Sequence, residues 1–441
     1  MTAHSKSGAI ETTRRLRSRS QPEARSRARP ESGRHFRLPG VGRRTGLGLA
    51  LAVVAAVALV GAAACGDAEP SEASETNPEN PANMASLNRL GGEPYRPGLK
   101  DPSGFINTEP FSLDDLEGQV ILIDFWTYTC INCIRTMPFL RDWHEKYADD
   151  GLVIVGVHSP EFEFEKIKAN VEQAAAEFGL LYPIVQDNDF GTWRNYENRF
   201  WPAKYLIDRD GFIRYTHFGE DAYDETELKI RELLAENGGT VSIKEAEFLP
   251  TRDLDEAVNS ITDQRTSVTR ELYAGTQRNY SALQFGGDQP PYVHHEQYYS
   301  RQNLAMEYTA PGDHDNHFLY LNGLWVNGPE SLRHARNTEG HEDYVVIIFY
   351  GTSANIVLGL PESGESYEVR VTIADAPIAA DHAGEDVMWN AGGNSYLLVD
   401  EDRLYRVAKT PQYGGYELKL SSNSDKFEFF AFTFGVFDNA P

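Results

Sequence analysis

The chain has 441 residues, 41 of them Lys or Arg and 66 of them Asp or Glu, which gives a formal net charge of −25 at pH 7. This length predicts two or three domains, since a single hydrophobic core stops growing at roughly 250 to 300 residues. A protein with this large a negative charge repels the phosphate backbone of nucleic acids, so its charge excludes nucleic-acid binding.

The positive charge is concentrated at the N-terminus. Residues 1–44 contain 12 Lys and Arg and 3 Glu, a net charge of +9, whereas the remainder carries 29 basic and 63 acidic residues, a net charge of −34. The Ser, Arg and Pro content of residues 1–44 predicts a basic, disordered segment.

An uncharged segment follows the Arg43-Arg44 pair and runs through residues 45–64. It predicts an export signal, although its length is also close to the ~20 residues that cross a bilayer as an uncleaved anchor. Ala62-Ala63-Ala64-Cys65 resembles a bacterial lipobox, in which Cys65 would carry the lipid. Both alternatives, lipoprotein and signal anchor, tether the body outside the bacterial cytoplasmic membrane, and residues 66–100 then read as a flexible, polar linker.

Lipidation of Cys65 would leave Cys130 and Cys133 as the remaining cysteines. A disulfide that closes so short a loop adds little stability to the folded state, which argues against a structural disulfide. A structural zinc site takes four Cys or His ligands, and the chain has no second C-x-x-C. The pattern therefore predicts a redox-active disulfide with no metal and no other cofactor.

The residues around this pair predict where it lies in the fold. Residues 120–123 form a continuous apolar run, which is typical of a strand buried on both faces. Apolar residues then recur at three- and four-residue spacing from Ile134 to Tyr147, which predicts a helix starting at Cys130. Its N-terminus favours an anion and lowers the pKa of a thiol there, so we expect Cys130 to be the nucleophile and Cys133 the resolving cysteine.

Asp124 ends the predicted buried strand, where a carboxylate is costly unless it has a role. Burial would raise its pKa into the range useful for general acid–base catalysis, so Asp124 is a candidate to accept the proton of Cys133. The alternative is that Asp124 caps a backbone turn at the edge of the sheet.

Residues 124–133, DFWTYTCINC, followed by Pro138, resemble the active-site segment of the thioredoxin fold. FSLDDLEGQVILIDFW is similar to the approach in membrane-tethered TlpA-like reductases, and FWTYTCINCIRTMPFLRDW resembles the thioredoxin-like part of DipZ-type proteins. The resemblance runs from about Phe105 to Gly239. It implies an α/β thioredoxin fold over residues 101–245 and a thiol-disulfide oxidoreductase, most consistent with a reductase. Its partners would be exported thiol or disulfide proteins, cytochrome c precursors among them, and a separate membrane electron donor.

The same resemblance implies that Pro202 is a cis-proline lying against the active disulfide. Trp126 and Trp201 are then candidates to shape the substrate surface; the alternative for both is ordinary core packing.

A thiol-dependent peroxidase is an alternative function for the N-terminal domain, because Thr127 lies three residues before Cys130, as in peroxiredoxins. Ile123 occupies the place of the proline expected in such a loop, which argues against peroxide reduction.

Residues 246–441 are predicted to be rich in short β-strands separated by Gly, Pro, Asn, Asp and Ser, which predicts an antiparallel, jelly-roll-like sandwich. The predicted strands are residues 316–321, 344–350, 367–373, 395–399, 416–420 and 427–434. This part resembles the carbohydrate-binding-module-like region of DipZ-type proteins. Trp325 and Trp389 are therefore candidates to stack on cell-wall glycan, and the alternative for both is ordinary core packing. A different functional class for this part is an adaptor that positions the redox domain by binding wall polymer or a partner protein. His294-His295-Glu296 and residues 313–317 lack a recognisable ligand spacing and are interpreted as solvated loops.

Overall fold

The computed structural model describes residues 97–239, 241–242, 248–249, 265–279 and 291–436. Residues 1–44, the signal or anchor segment with Cys65, most of the linker and the boundary at residues 245–246 lie outside the described residues. Within the described ranges, no helix is both long and apolar enough to span a membrane.

The N-terminal domain alternates strands with helices. Its strands are β1 (Gly104–Ile106), β2 (Val120–Trp126), β3 (Leu152–His158), β4 (Ile184–Gln186), β5 (Ala203–Ile207) and β6 (Ile213–Phe218). Its α-helices are α1 (Ile131–Tyr147), α2 (Lys168–Glu177), α3 (Gly191–Asn195) and α4 (Tyr223–Ala235). Three short 3-10 helices complete it, at Leu113–Leu116, Glu163–Lys166 and Glu236–Gly238.

The six strands form one sheet in the order β1-β4-β3-β2-β5-β6. β2 is central; it pairs parallel with β3 and antiparallel with β5, and all seven of its residues are buried. Leu122 faces one core with α1 and α4, while Ile121 and Ile123 face a second core on the other side of the sheet. Apolar side chains are therefore needed on both faces of β2, which explains its unbroken apolar run.

The C-terminal domain is almost entirely β. Its strands are β7 (Leu272–Tyr273), β8 (Ala305–Tyr308), β9 (Leu319–Asn327), β10 (Leu332–His334), β11 (Tyr344–Gly359), β12 (Tyr367–Ile373), β13 (Ala376–Pro377), β14 (Met388–Trp389), β15 (Ser395–Val399), β16 (Arg403–Ser421) and β17 (Glu428–Gly435). A single short helix, α5 (Glu296–Ser300), occurs in the described part of this domain.

Among the described residues, all strand pairs of this domain are antiparallel and belong to one sheet. Nine strands follow the order β14-β15-β12-β16-β11-β17-β10-β9-β8, while β13 pairs with β12 and β7 pairs with β17. The long strand β11 pairs with β9 through its first residues and with β17 through its last residues, and β16 runs beside both parts. Apolar side chains from these strands share one core. The α/β thioredoxin fold followed by an all-β antiparallel domain is thus confirmed.

Candidate active site

The two cysteines lie at the start of α1. Cys130 is the N-cap in an extended conformation, and its Sγ accepts a hydrogen bond from the main-chain N–H of Cys133 at 3.3 Å. Cys130 is partly exposed, whereas Cys133 is buried, and both are free thiols. Cys130 is therefore the more accessible residue of the two, and Cys133 lies one helical turn further along, as the sequence predicts.

The electrostatic surroundings of Cys130 differ from the sequence-based expectation. Burial raises the pKa of the Cys130 thiol, the hydrogen bonding with Cys133 opposes the rise, and the carboxylates of Glu271 and Glu161 add to it. Burial also raises the pKa of Cys133 well above its usual value, and the hydrogen bond with Cys130 adds to that rise. The favourable helix N-terminus is thus outweighed by desolvation, and both cysteines rest as neutral thiols near neutral pH.

Asp124 is paired with a lysine across the sheet. Asp124 on β2 and Lys204 on β5 are cross-strand neighbours, both fully buried, and Lys204 Nζ lies 3.8 Å from Asp124 Oδ1. This separation exceeds a hydrogen bond, and neither atom has another hydrogen-bond partner among the described residues. Burial raises the pKa of Asp124 to about 6, and the Lys204 ammonium limits the rise. Asp124 can therefore gain and lose a proton near neutral pH, as general acid–base catalysis requires.

Sequence reasoning missed Lys204, although a signal was available. It is the single charged residue in the otherwise apolar strand β5, two positions after Pro202. A buried lysine is expensive unless a carboxylate or another acceptor lies nearby, so its presence in such a strand points to a buried partner.

The peptide bond between Trp201 and Pro202 is cis, as the resemblance implies. The Trp201 ring lies 4.2 Å from the Trp193 ring, centroid to centroid, and its Nε1 donates to the carbonyl oxygen of Ser159 at 3.1 Å. Trp201 and Cys130 are partly buried and pack against the same core.

Trp126 lies deeper than Trp201. Its side chain is only 1% exposed and contacts the buried His158 edge-on, with ring centroids 5.0 Å apart. Thr127, the residue on which the peroxidase alternative depends, is also buried, and its Oγ1 lies 3.4 Å from His158 Nε2. The burial of Trp126 favours the core-packing alternative for this residue.

A second carboxylate, Glu165, which sequence reasoning also missed, fixes the loop before Cys130. Its Oε1 accepts from Thr129 Oγ1 at 2.6 Å and from Thr129 N–H at 3.3 Å, and its Oε2 accepts from the main-chain N–H groups of Glu161 and Phe162. The side chain is completely buried, and burial raises its pKa to about 7. Thr129 precedes Cys130, so Glu165 ties the cysteine loop to the segment after β3.

We expect Glu165→Ala to lower the free energy of unfolding by about 2 to 4 kcal/mol, because it leaves several buried donors without an acceptor. Urea denaturation of the purified protein measures this change. The matched control is Glu172→Ala, since Glu172 pairs with Lys168 in the open, where both side chains are about half exposed. Equal stability losses in the two variants would contradict the role assigned to Glu165.

The candidate glycan-stacking residues differ in exposure. Trp325 is completely buried, and its Nε1 donates to the Asn322 carbonyl oxygen, which favours the core-packing alternative for this residue. Trp389 is 42% exposed and lies on β14 beside the exposed Met388. Glycan binding at Trp389 stays a prediction. Within the described ranges, no group of His, Cys, Asp or Glu has an arrangement that could hold a metal ion.

Two family models match the chain. Residues 99–216 match the AhpC/TSA family, and residues 269–435 match the thioredoxin-like C-terminal domain. Protein DipZ of Mycobacterium tuberculosis is 35% identical over 295 residues, which cover 62% of this chain and 41% of DipZ. The chain thus matches about two fifths of the length of that relative.

Two Bacillus subtilis proteins match about a third of the chain each. Thiol-disulfide oxidoreductase YkuV is 29% identical over 140 residues, which cover 32% of this chain and 94% of YkuV. Thioredoxin-like protein YneN is 32% identical over 132 residues, which cover 30% of this chain and 73% of YneN. With its cysteine pair at a helix N-terminus, its cis-proline loop and these matches, the chain belongs to the thioredoxin-like proteins.

Proposed function

We propose that this protein is a thiol-disulfide oxidoreductase that reduces the disulfides of exported proteins. The observation that carries the proposal is the arrangement at the start of α1, where a partly exposed Cys130 caps the helix one turn before a buried Cys133, in a domain that also contains a cis bond before Pro202. The match to the thiol-disulfide oxidoreductase YkuV supports the same reaction class.

The proposed reaction moves two electrons in two exchanges. The Cys130 thiolate attacks one sulfur of the substrate disulfide, forming a mixed disulfide and releasing the other substrate sulfur as a thiolate. Cys133 then loses its proton and attacks Cys130 Sγ, which releases the second substrate thiolate and leaves a Cys130–Cys133 disulfide. The substrate is reduced and the protein oxidised, and no cofactor besides this disulfide takes part. Asp124 accepts the proton that Cys133 gives up.

Substrate binding is proposed to use the main chain before Pro202. No hydrogen bond to the main-chain N–H or C=O of Trp201 occurs among the described residues. An extended substrate segment can pair with these groups as an added strand and hold its disulfide in line with Cys130.

The reducing direction is supported by the surroundings of Cys130. A strongly oxidising disulfide is one whose reduced form is stabilised, usually by a thiolate of low pKa. At Cys130, burial and the nearby carboxylates of Glu271 and Glu161 raise the pKa instead. The thiolate is thus destabilised, which lowers the reduction potential and favours donation of electrons.

The proposed location is the outer face of the bacterial cytoplasmic membrane. The tether would be a lipid on Cys65 or an uncleaved anchor in residues 45–64. Electrons would come from a separate membrane protein, and cytochrome c precursors are candidate substrates among the exported thiol proteins.

The proposal is tested by mixing the reduced protein with an oxidised protein substrate and following the loss of protein thiols in a single turnover. Redox equilibration with dithiothreitol gives the potential. We expect a value nearer to that of thioredoxin, about −270 mV, than to that of a strong periplasmic oxidant, about −120 mV. A potential near the second value would reverse the proposed direction, and failure to exchange with any disulfide would exclude the reaction.

We expect the pKa of the Cys130 thiol to lie above that of free cysteine. We expect the rate of iodoacetamide alkylation to rise with pH through a midpoint higher than that of a cysteine peptide, because burial and two carboxylates disfavour the thiolate. Glu161→Gln should move the midpoint to lower pH, since it removes one negative charge. A wild-type midpoint below that of the peptide would show that the helix N-terminus outweighs burial.

A further inference from the structure

The β domain covers part of the active site. Ile131, which directly follows Cys130, is only 7% exposed. It packs in one cluster with Phe162 from the N-terminal domain and with residues of β11, β16 and β17, namely Val357, Leu404, Phe430 and Ala431. The side chain after the nucleophile is therefore buried by the second domain, and an incoming substrate cannot approach Cys130 from that side.

Arg278 of the β domain contacts two loops of the N-terminal domain, one of which carries Glu161, a carboxylate close enough to raise the pKa of Cys130. Its Nη1 lies 2.6 Å from Glu161 Oε1 and its Nη2 donates to the Glu161 carbonyl oxygen at 3.2 Å. Its guanidinium carbon lies 5.5 Å from the centre of the Trp201 ring, within the range of a cation–π contact. Tyr273 donates from its hydroxyl to the same Glu161 oxygen at 2.8 Å.

Glu161 follows β3 and Trp201 precedes β5, so Arg278 joins two separate loops of the N-terminal domain. Trp201 carries the main-chain groups available to a substrate strand, and Arg278 lies against its ring. The Arg278 side chain is 24% exposed, which leaves part of the guanidinium accessible from solvent.

We propose that the β domain supplies one wall of the substrate groove, and that Arg278 is a specificity-determining residue that favours extended polypeptide disulfides over small ones. This inference rests on the proposed oxidoreductase function and adds the substrate class that the site selects. An extended segment that pairs with Trp201 must run along the ring that Arg278 holds. A small disulfide needs only to meet the sulfur of Cys130, so this requirement does not apply to it.

The competing explanation is that Arg278 is an interdomain clamp and nothing more. Loss of a purely structural contact would change the rate constants for all disulfides by the same factor, or would change only the free energy of unfolding of the protein. A groove wall would change the preference between two kinds of disulfide that are attacked by the same sulfur. The ratio of their rate constants separates the two explanations, because any change in the thiolate fraction of Cys130 cancels in it.

The test uses the pre-reduced protein and two probes, a synthetic peptide with one intramolecular disulfide and dithiobis(nitrobenzoate). For Arg278→Ala we expect the second-order rate constant with the peptide to fall about tenfold, the range of a lost groove contact, and that with the small disulfide to stay within about twofold. Arg278→Lys keeps the charge but loses the two-point contact with Glu161, so it should recover part of the peptide rate.

Arg336→Ala is the matched control, since Arg336 forms a comparable double contact with Asp343 inside the β domain. Its peptide-to-small-disulfide ratio should equal that of the wild type. An unchanged ratio in Arg278→Ala would overturn the proposal in favour of the clamp. If Arg278→Ala does not unfold cooperatively, Arg278→Lys replaces it in the test. An unchanged peptide-to-small-disulfide ratio in Arg278→Lys would then overturn the proposal. A wild-type protein that reduces neither probe would instead refute the underlying oxidoreductase function.

Discussion

Cys133→Ala is expected to convert the protein from a reductase into a trap for its substrates. Cys130 can still attack a disulfide, but the buried thiol that releases the product is gone. With dithiobis(nitrobenzoate), the wild type should release two nitrothiobenzoate groups per protein and the variant only one. The release of a bound protein substrate should slow on the order of a thousandfold or more, because the resolving nucleophile is absent.

The trapped complexes also identify the substrates. After expression of the variant in the native cell envelope and acid quenching, non-reducing gels should show high-mass bands that disappear with dithiothreitol. Several different exported proteins would indicate a general reductase, whereas cytochrome precursors alone would narrow the role to their maturation.

Cys130→Ala is the matched control for the trap. It removes the reachable sulfur and keeps Cys133, so it should form no mixed disulfide and release no chromophore. If Cys130→Ala captured the same proteins as Cys133→Ala, the assignment of the two sulfurs would have to be exchanged.

The sequence predicts the part of the fold that local pattern determines. The apolar run of β2 and the three- and four-residue spacing of α1 place both elements and the cysteine pair correctly. In the β domain, Tyr367–Ile373 and Ser395–Val399 are also predicted with their observed bounds. These strands are short and end at turn residues, so the local signals agree with the tertiary structure.

The two longest strands show where local signals mislead. The sequence predicts a strand that ends at Tyr350 and another that begins at Tyr416, because Gly351 and Gly414-Gly415 are typical of turns. In the structure β11 and β16 continue through these glycines and pair with each other there. Glycine in a strand allows close approach of backbone, and here Gly415 lies against the Tyr350 ring, where a Cβ would come within 2.7 Å of it.

Two features of the active site depend on contacts that no local pattern contains. The register of β2 against β5, which follows from pairing across 80 residues, places Lys204 opposite Asp124. Glu271 belongs to the second domain and Glu161 to a loop after β3, yet both raise the pKa of Cys130. The sequence predicts the helix N-terminus at Cys130 but not the burial that opposes its effect.

Asp124→Asn should slow the second exchange by about a hundredfold at neutral pH, because general base catalysis typically contributes a factor of this order or more. Attack by Cys133 requires loss of its proton, and burial holds the pKa of that thiol well above its usual value. The second release of nitrothiobenzoate measures this step. The first release, which needs only Cys130, should change by less than about threefold.

The rate of this second release should also depend on pH, in a direction that the pKa of Asp124 determines. In the wild type, Asp124 is protonated below about pH 6 and cannot accept a proton; above that it is ionised and can. The rate of the second release should therefore rise with pH through about 6, and this rise should be missing in Asp124→Asn. Lys204→Met is the matched variant, since the ammonium limits the rise in the pKa of Asp124. Its removal should move the same rise to higher pH. An Asp124→Asn protein that keeps both the rate and the pH dependence would instead support a structural role for Asp124 at the end of β2, because the proton of Cys133 would then reach solvent by another route.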